Sequence, residues 1–178
     1  MNKKQYTVIE TYTLPFIQLV FENKKQTEVF DIISQIKEIC DETTLTHFLK
    51  DFSVTTTEKE RSLRFFQPSG SKLIDNLIEV IILNHREDLF YSILVESQKQ
   101  IEKKSNEFEV EIKSVKNLSE SQRAKLIPII EKKLGLKVRR LKQNLDEELI
   151  GGFVISANNK TIDASIKRQL QVIKENLK

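Results

Sequence analysis

The spacing of apolar residues changes once, near Ser105, and that change limits what the chain can fold into. Up to Lys104 the apolar residues recur every three or four positions, the repeat of helices with one face turned inward. From Phe108 they alternate, with Phe108, Val110 and Ile112 interleaved with Glu109, Glu111 and Lys113, the period of a strand covered on one side. A purely helical array and a single sheet are both excluded. The pattern predicts a mainly helical α+β protein, with an N-terminal helical domain over residues 1–105 and a smaller α+β domain over 106–178.

In the first part, Ile9, Tyr12, Phe16, Leu19 and Val20 fall on one helical face of residues 7–22. Pro15 interrupts that face, so either the helix kinks there or it begins at Thr13 with the proline in its first turn. A second helix is expected over Thr27–Cys40 and a short third over Thr43–Phe52. Thr57-Glu-Lys-Glu60 reads as a capping box opening a fourth helix that carries Leu63, Phe65 and Phe66. After Pro68, Ser69 and Gly70, the run Leu73, Ile74, Leu77, Ile78, Ile81 and Ile82 predicts a fifth helix, apolar over so wide an arc that it belongs at the centre of a bundle. It ends near His85, and a sixth begins at Phe90.

In the second part, Ser119-Glu-Ser-Gln122 is a capping box whose helix should run through Pro128, bending there, to a C-terminal Gly135. Leu136–Leu145 reads as a strand and the Gly151-Gly152 stretch as another. Asn158-Asn159 marks a hairpin before Thr161 and Ile162. Asp163 is placed to cap a last helix striped with Ile166, Leu170, Ile173 and Leu177.

Reactive constellations are hard to find. Cys40 is the single cysteine, which excludes an internal disulfide, and with only His47 and His85 beside it no metal-ligand spacing emerges. Ser69-Gly-Ser-Lys72 lacks the first glycine and preceding strand of a phosphate loop. Asp146, Glu147 and Glu148 are adjacent, so their side chains diverge into a solvated turn and do not converge on a substrate. No apolar run approaches the ~20 residues of a membrane span, and the basic N-terminus is not followed by the apolar stretch of a signal peptide. Residues 106–178 carry 15 Lys+Arg against 10 Asp+Glu, leaving 14 against 16 for residues 1–105. This modest basic excess, with Arg139-Arg140 beside Lys137 and Lys142, keeps nucleic-acid binding open as a rival to a protein-docking role.

Leu149-Ile-Gly-Gly-Phe153, followed by the hairpin turn, Ile162-Asp-Ala-Ser165 and Leu170, resembles the C-terminal signature of the delta subunit of bacterial F-type ATP synthase, counterpart of the mitochondrial oligomycin-sensitivity-conferring protein. Tyr12, Phe16 and Leu19 fit that family's first helix, Asn84-His-Arg86 the close of its fifth, and Val115-Lys-Asn-Leu-Ser119 the lead into the C-terminal helix. The resemblance implies a six-helix N-terminal bundle, a smaller α+β domain, no catalytic residue and no cofactor. It implies a stator subunit that resists rotor torque while ATP is made elsewhere, lying at the cytoplasmic face of the bacterial membrane through its complex. The bundle would receive the N-terminal helix of an alpha subunit between its first and fifth helices, and the second domain would hold the C-terminal region of the b subunits. Tyr12, Phe16, Leu19, Ile78 and Ile82 are the candidates for that groove, the alternative for each being the bundle's own core. Asn84, Arg86, Leu149, Ile150, Gly151, Gly152, Phe153, Asp163 and Ser165 are the signature positions. The glycine pair is expected to bend a strand so that Leu149, Ile150 and Phe153 can pack.

Overall fold

The computed structural model describes residues 3–176; Leu177, expected on the last helical stripe, lies outside them. The chain falls into two compact units, Met1–Ile101 and Glu102–Lys178.

The first unit is helical among the described residues: α1 (Lys3–Glu22), α2 (Gln26–Glu42), α3 (Leu45–Lys50), α4 (Thr56–Arg64) and α5 (Lys72–Leu83), then a 3-10 turn (Glu87–Leu89) that leads into α6 (Phe90–Ser105). One core joins them. Ile9, Ile17 and Val20 of α1, Phe30 and Ile33 of α2, Ile74, Ile78 and Ile81 of α5, and Phe90, Ile93 and Leu94 of α6 are all buried in it. α1 is a single helix that starts at Lys3, twelve positions before Pro15, so the start at Thr13 is not adopted. An interior proline costs ~3 kcal/mol. Each buried aliphatic or aromatic side chain contributes roughly 1.5–3 kcal/mol, and α1 buries Ile9, Phe16, Ile17 and Val20 on the two sides of the proline. Packing therefore outweighs the local penalty.

The capping box of α4 lies two residues before the expected one. Thr55 Oγ1 accepts the Glu58 amide and the Glu58 carboxylate accepts the Thr55 amide at 3.0 Å. Thr55 and Thr57 both stand three residues before a glutamate, and the upstream pair is the one that closes. α4 stops at Arg64, leaving Phe65 80% exposed.

The second unit pairs β1 (Glu107–Ser114) with β2 (Lys137–Leu145) in parallel, joined by the crossover helix α7 (Glu120–Leu134). β3 (Phe153–Ala157) and β4 (Lys160–Asp163) extend the sheet antiparallel, giving the order β2-β1-β3-β4, and α8 (Ile166–Asn176) follows. Phe108, Val110 and Ile112 pack with Ile130, Leu134 and Ile155. The α7 box forms between Ser119 and Gln122, and Gly135 closes the helix in the left-handed region at φ 69. Asn158 and Asn159 both take positive φ, 47 and 57, as a two-residue hairpin with the strands' twist requires.

The β1–β2 register slips between Phe108 and Glu109, so that Arg139 is passed over as a bulge. Its side chain is 7% exposed and ion-pairs with Glu107 at 2.8 Å. The basic run of β2 is thus turned partly into the fold, and the nucleic-acid alternative loses Arg139 as a surface contact.

Candidate functional site

α1 and α5 lie against each other within the helical unit, and between them runs an apolar groove of about 380 Å³. Tyr12, Phe16 and Leu19 form the α1 wall; Leu73, Leu77 and Val80 form the α5 wall, with Asn84 at one end. Leu19 and Val80 are 47% and 44% exposed, while Phe16 is buried to 5% and forms floor more than wall.

Ile78 and Ile82, proposed from the sequence for this groove, are 0% and 2% exposed and belong to the core. On a helix each residue turns the side chain by about 100°, so Leu77 and Val80 occupy the flank that Ile78 and Ile82 leave. The wide apolar arc of α5 is real, but its flank toward α1 is set by tertiary packing.

Pro15 lies in the groove as well. It has no amide hydrogen, so the carbonyl of Thr11 lacks the donor that every other residue at i+4 supplies. Thr11, one turn before the proline, lines the same groove. Asn84 caps α5 by donating Nδ2 to the Val80 carbonyl at 2.7 Å. Arg86 is exposed at the start of the 3-10 turn, after His85, whose φ is 51.

The C-terminal signature is a turn and not a strand. Asp146 Oδ1 accepts the Glu148 amide at 3.0 Å, making a small solvated turn of the acidic triplet. Gly151 and Gly152 then bend the backbone before β3 begins at Phe153. Phe153 packs on the second core and Leu149 is half-buried, but Ile150 is 69% exposed and does not pack as expected. Asp163 does not cap α8 itself. Its Oδ1 accepts the Ser165 amide at 2.9 Å, and Ser165 Oγ accepts the Arg168 amide at 3.1 Å, so Ser165 is the cap and Asp163 holds it in place. Hydrogen bonds from the Ser165 side chain and amide hold the Asp163 carboxyl below its usual range.

α8 is exposed along residues 166–175. Its stripe of Ile166, Leu170 and Ile173, 41%, 54% and 55% exposed, faces outward. Cys40, by contrast, is a core residue, 2% exposed, its thiol pushed up to about 11 by burial; that is the opposite of an activated nucleophile. Among the described residues no helix is long and apolar enough to cross a membrane.

The groove and the outward stripe of α8 leave apolar surface open, and no reactive cluster accompanies them among the residues described above. The comparisons with known proteins agree. A family model described as ATP synthase delta (OSCP) subunit matches residues 8–177. A protein named ATP synthase subunit delta from Streptococcus sanguinis (strain SK36) is 65% identical over 178 residues, 100% of both chains. Its namesakes from Streptococcus gordonii and Streptococcus pneumoniae (strain Hungary19A-6) are 56% and 50% identical over the same span. A chain in the cryo-EM structure of the Toxoplasma gondii mitochondrial ATP synthase hexamer superposes with a TM-score of 0.68 over 95% of this chain and 96% of that one, at 13% identity, a likeness of fold. The chain belongs to the ATP synthase delta (OSCP) subunit family.

Proposed function

We propose that this chain couples two partners within the peripheral stalk of F-type ATP synthase, seating an amphipathic helix of the alpha subunit in the α1–α5 groove and holding the C-terminal region of the b subunit with the second unit. As a member of the delta family it is a structural stator subunit and not a catalytic one. The groove carries the reading. It is open and lined by Tyr12, Phe16, Leu19, Leu73, Leu77 and Val80, and helix-in-groove recognition needs an apolar trough that accepts residues at i, i+3/i+4 and i+7 spacing. In the second unit the outward stripe of α8 and the exposed Ile150 of the signature offer apolar surface for the b subunit. Attachment to the cytoplasmic face of the bacterial membrane is then indirect, through these partners.

Titration of the full chain with a synthetic peptide of the alpha-subunit N-terminus tests the first contact. Binding should persist from low to moderate salt, because apolar burial is little screened. If the peptide does not bind, or if Val80→Asp leaves its affinity unchanged, the groove is not its seat. A labelled RNA or DNA duplex in the same assay tests the rival, whose affinity would fall steeply with salt.

A further inference from the structure

Where α5 gives way to α6, a side chain of α4 meets two that stand two positions apart, His85 and Glu87. Glu60 comes from α4, His85 from the turn after α5, and Glu87 from the 3-10 turn. One donor atom of each lies within 4.8 Å of the other two, and His85 Nδ1 stands 4.0 Å from Glu60 Oε1. Glu87 is 4% exposed, and its Oε1 is buried without a hydrogen-bond partner. A carboxylate oxygen withdrawn from water in this way is costly unless a cation or a proton meets it. Its carboxylate supplies one of the three clustered atoms.

The backbone at His85 is fixed by hydrogen bonds to the end of α5. Its amide donates to the Ile82 carbonyl at 3.0 Å and the next amide, of Arg86, to the Ile81 carbonyl at 3.1 Å. With φ at 51, these bonds fix the direction in which the side chain leaves α5. His85 and Glu87 also border a cavity of about 700 Å³, roomy enough for water to complete a coordination shell.

We propose that Glu60, His85 and Glu87 form a divalent transition-metal site, best suited to Zn²⁺, that clips α4 to the corner between α5 and α6. One imidazole nitrogen with two carboxylates suits zinc and its neighbours, whereas Mg²⁺ and Ca²⁺ take oxygen ligands alone. Ligands at the usual zinc distances stand about 3.4 Å apart in a tetrahedron, so donor atoms within 4.8 Å of one another must close by up to about 1.4 Å. His85 and Glu60, with side chains 69% and 31% exposed, are free to supply that movement around the fixed Glu87. Lys50 and Lys59 line the same cavity. Their ammonium groups, partly offset by Asp88 in the same lining, oppose any cation held by charge alone, so bonding to the imidazole must supply the affinity.

The full chain contains two histidines, and His47 is exposed on α3, which provides an internal control. Titration with ZnCl₂ while recording the imidazole ¹H–¹⁵N signals should move those of His85 at one equivalent, leave those of His47 in place, and raise Tm by several degrees. MgCl₂ should do neither. His85→Asn, a residue that tolerates the left-handed backbone, should fold with the metal-free Tm of the parent and lose the zinc response. Glu87→Gln should weaken zinc binding at least tenfold. Equal movement of both histidines, a zinc response that survives His85→Asn, or no response at all would each overturn the site.

Discussion

The amide of Ile166 donates to the carbonyl of Gly151 at 3.0 Å, tying the first residue of α8 to the approach of β3. A second bond, from the Ala164 amide to the Phe153 carbonyl at 3.0 Å, lies beside it. Between the two, Gly152 sits at φ 78, and a Cβ built there would stand 2.3 Å from the Ala164 carbonyl oxygen and 3.0 Å from Ser165 Cα. At Gly151 a Cβ would meet instead the tip of the Ile166 side chain at 2.6 Å.

Gly152→Ala is therefore expected to destabilise the second unit by about 3 kcal/mol or more, combining left-handed strain with a backbone clash. Gly151→Ala should cost about 1 kcal/mol, because Ile166 can turn away. Hydrogen exchange at the β3 and β4 amides measures both. Equal effects at the two glycines would contradict the assigned geometry.

The groove and the core of α5 separate by substitution. Leu19→Lys and Val80→Asp, at half-exposed wall positions, should weaken the alpha-subunit peptide at least tenfold while changing stability by less than about 1 kcal/mol. Ile78→Ala should cost about 2–5 kcal/mol in urea unfolding, since it opens a cavity in the core. If Ile78→Ala instead leaves stability intact and abolishes binding, the phase assigned to α5 is wrong.

Thr55 and Thr57 make a local test of the capping register. Thr55→Ala should destabilise the helical unit by ~1 kcal/mol through loss of the bond to the Glu58 amide, and Thr57→Ala should leave it unchanged within a few tenths. Thermal unfolding of the pair distinguishes them.

Acid should loosen the same cap. Thr55 hydrogen bonds hold the Glu58 carboxyl below its usual value of 4.5, and the Arg64 guanidinium, followed by Gln67, does the same for Glu79. The unfolded chain then takes up protons first. The stability these groups contribute is complete above about pH 4.5 and is lost as pH falls through their lowered values. Urea midpoints measured downward from pH 6 should decline below that point. The decline should be shallower in Glu79→Gln; an unchanged slope would remove Glu79 as a contributor.

Local chemistry was readable wherever one short segment decides the outcome: the box at Ser119 and Gln122, the left-handed stop at Gly135, the Asn158-Asn159 hairpin. It failed where two local solutions were equally good or where packing between elements chose. Thr55 and Thr57 offered competing boxes. Pro15 broke a local rule that the buried side chains flanking it outweigh. Ile78 and Leu77 differ by one helical step, and only the position of α1 says which of them meets the groove. Glu60 carries no spacing signal toward His85 and Glu87, since their meeting depends on how α4 is laid against the end of α5.

Pro15 has one more consequence. An apolar trough grips a helix well but hardly distinguishes it from the same helix slid along by a turn, because aliphatic contacts are exchanged for similar ones. The Thr11 carbonyl, without an amide donor from position 15, belongs to one of the groove's few polar residues, with Asn76 and Asn84 on the facing helix. A guest that presents an amide, hydroxyl or ammonium there gains a hydrogen bond of about 1 kcal/mol in one position only. If the proposed guest helix docks here, the residue that most disturbs α1 as a helix would be the zero mark of a ruler, setting where along the groove that guest comes to rest.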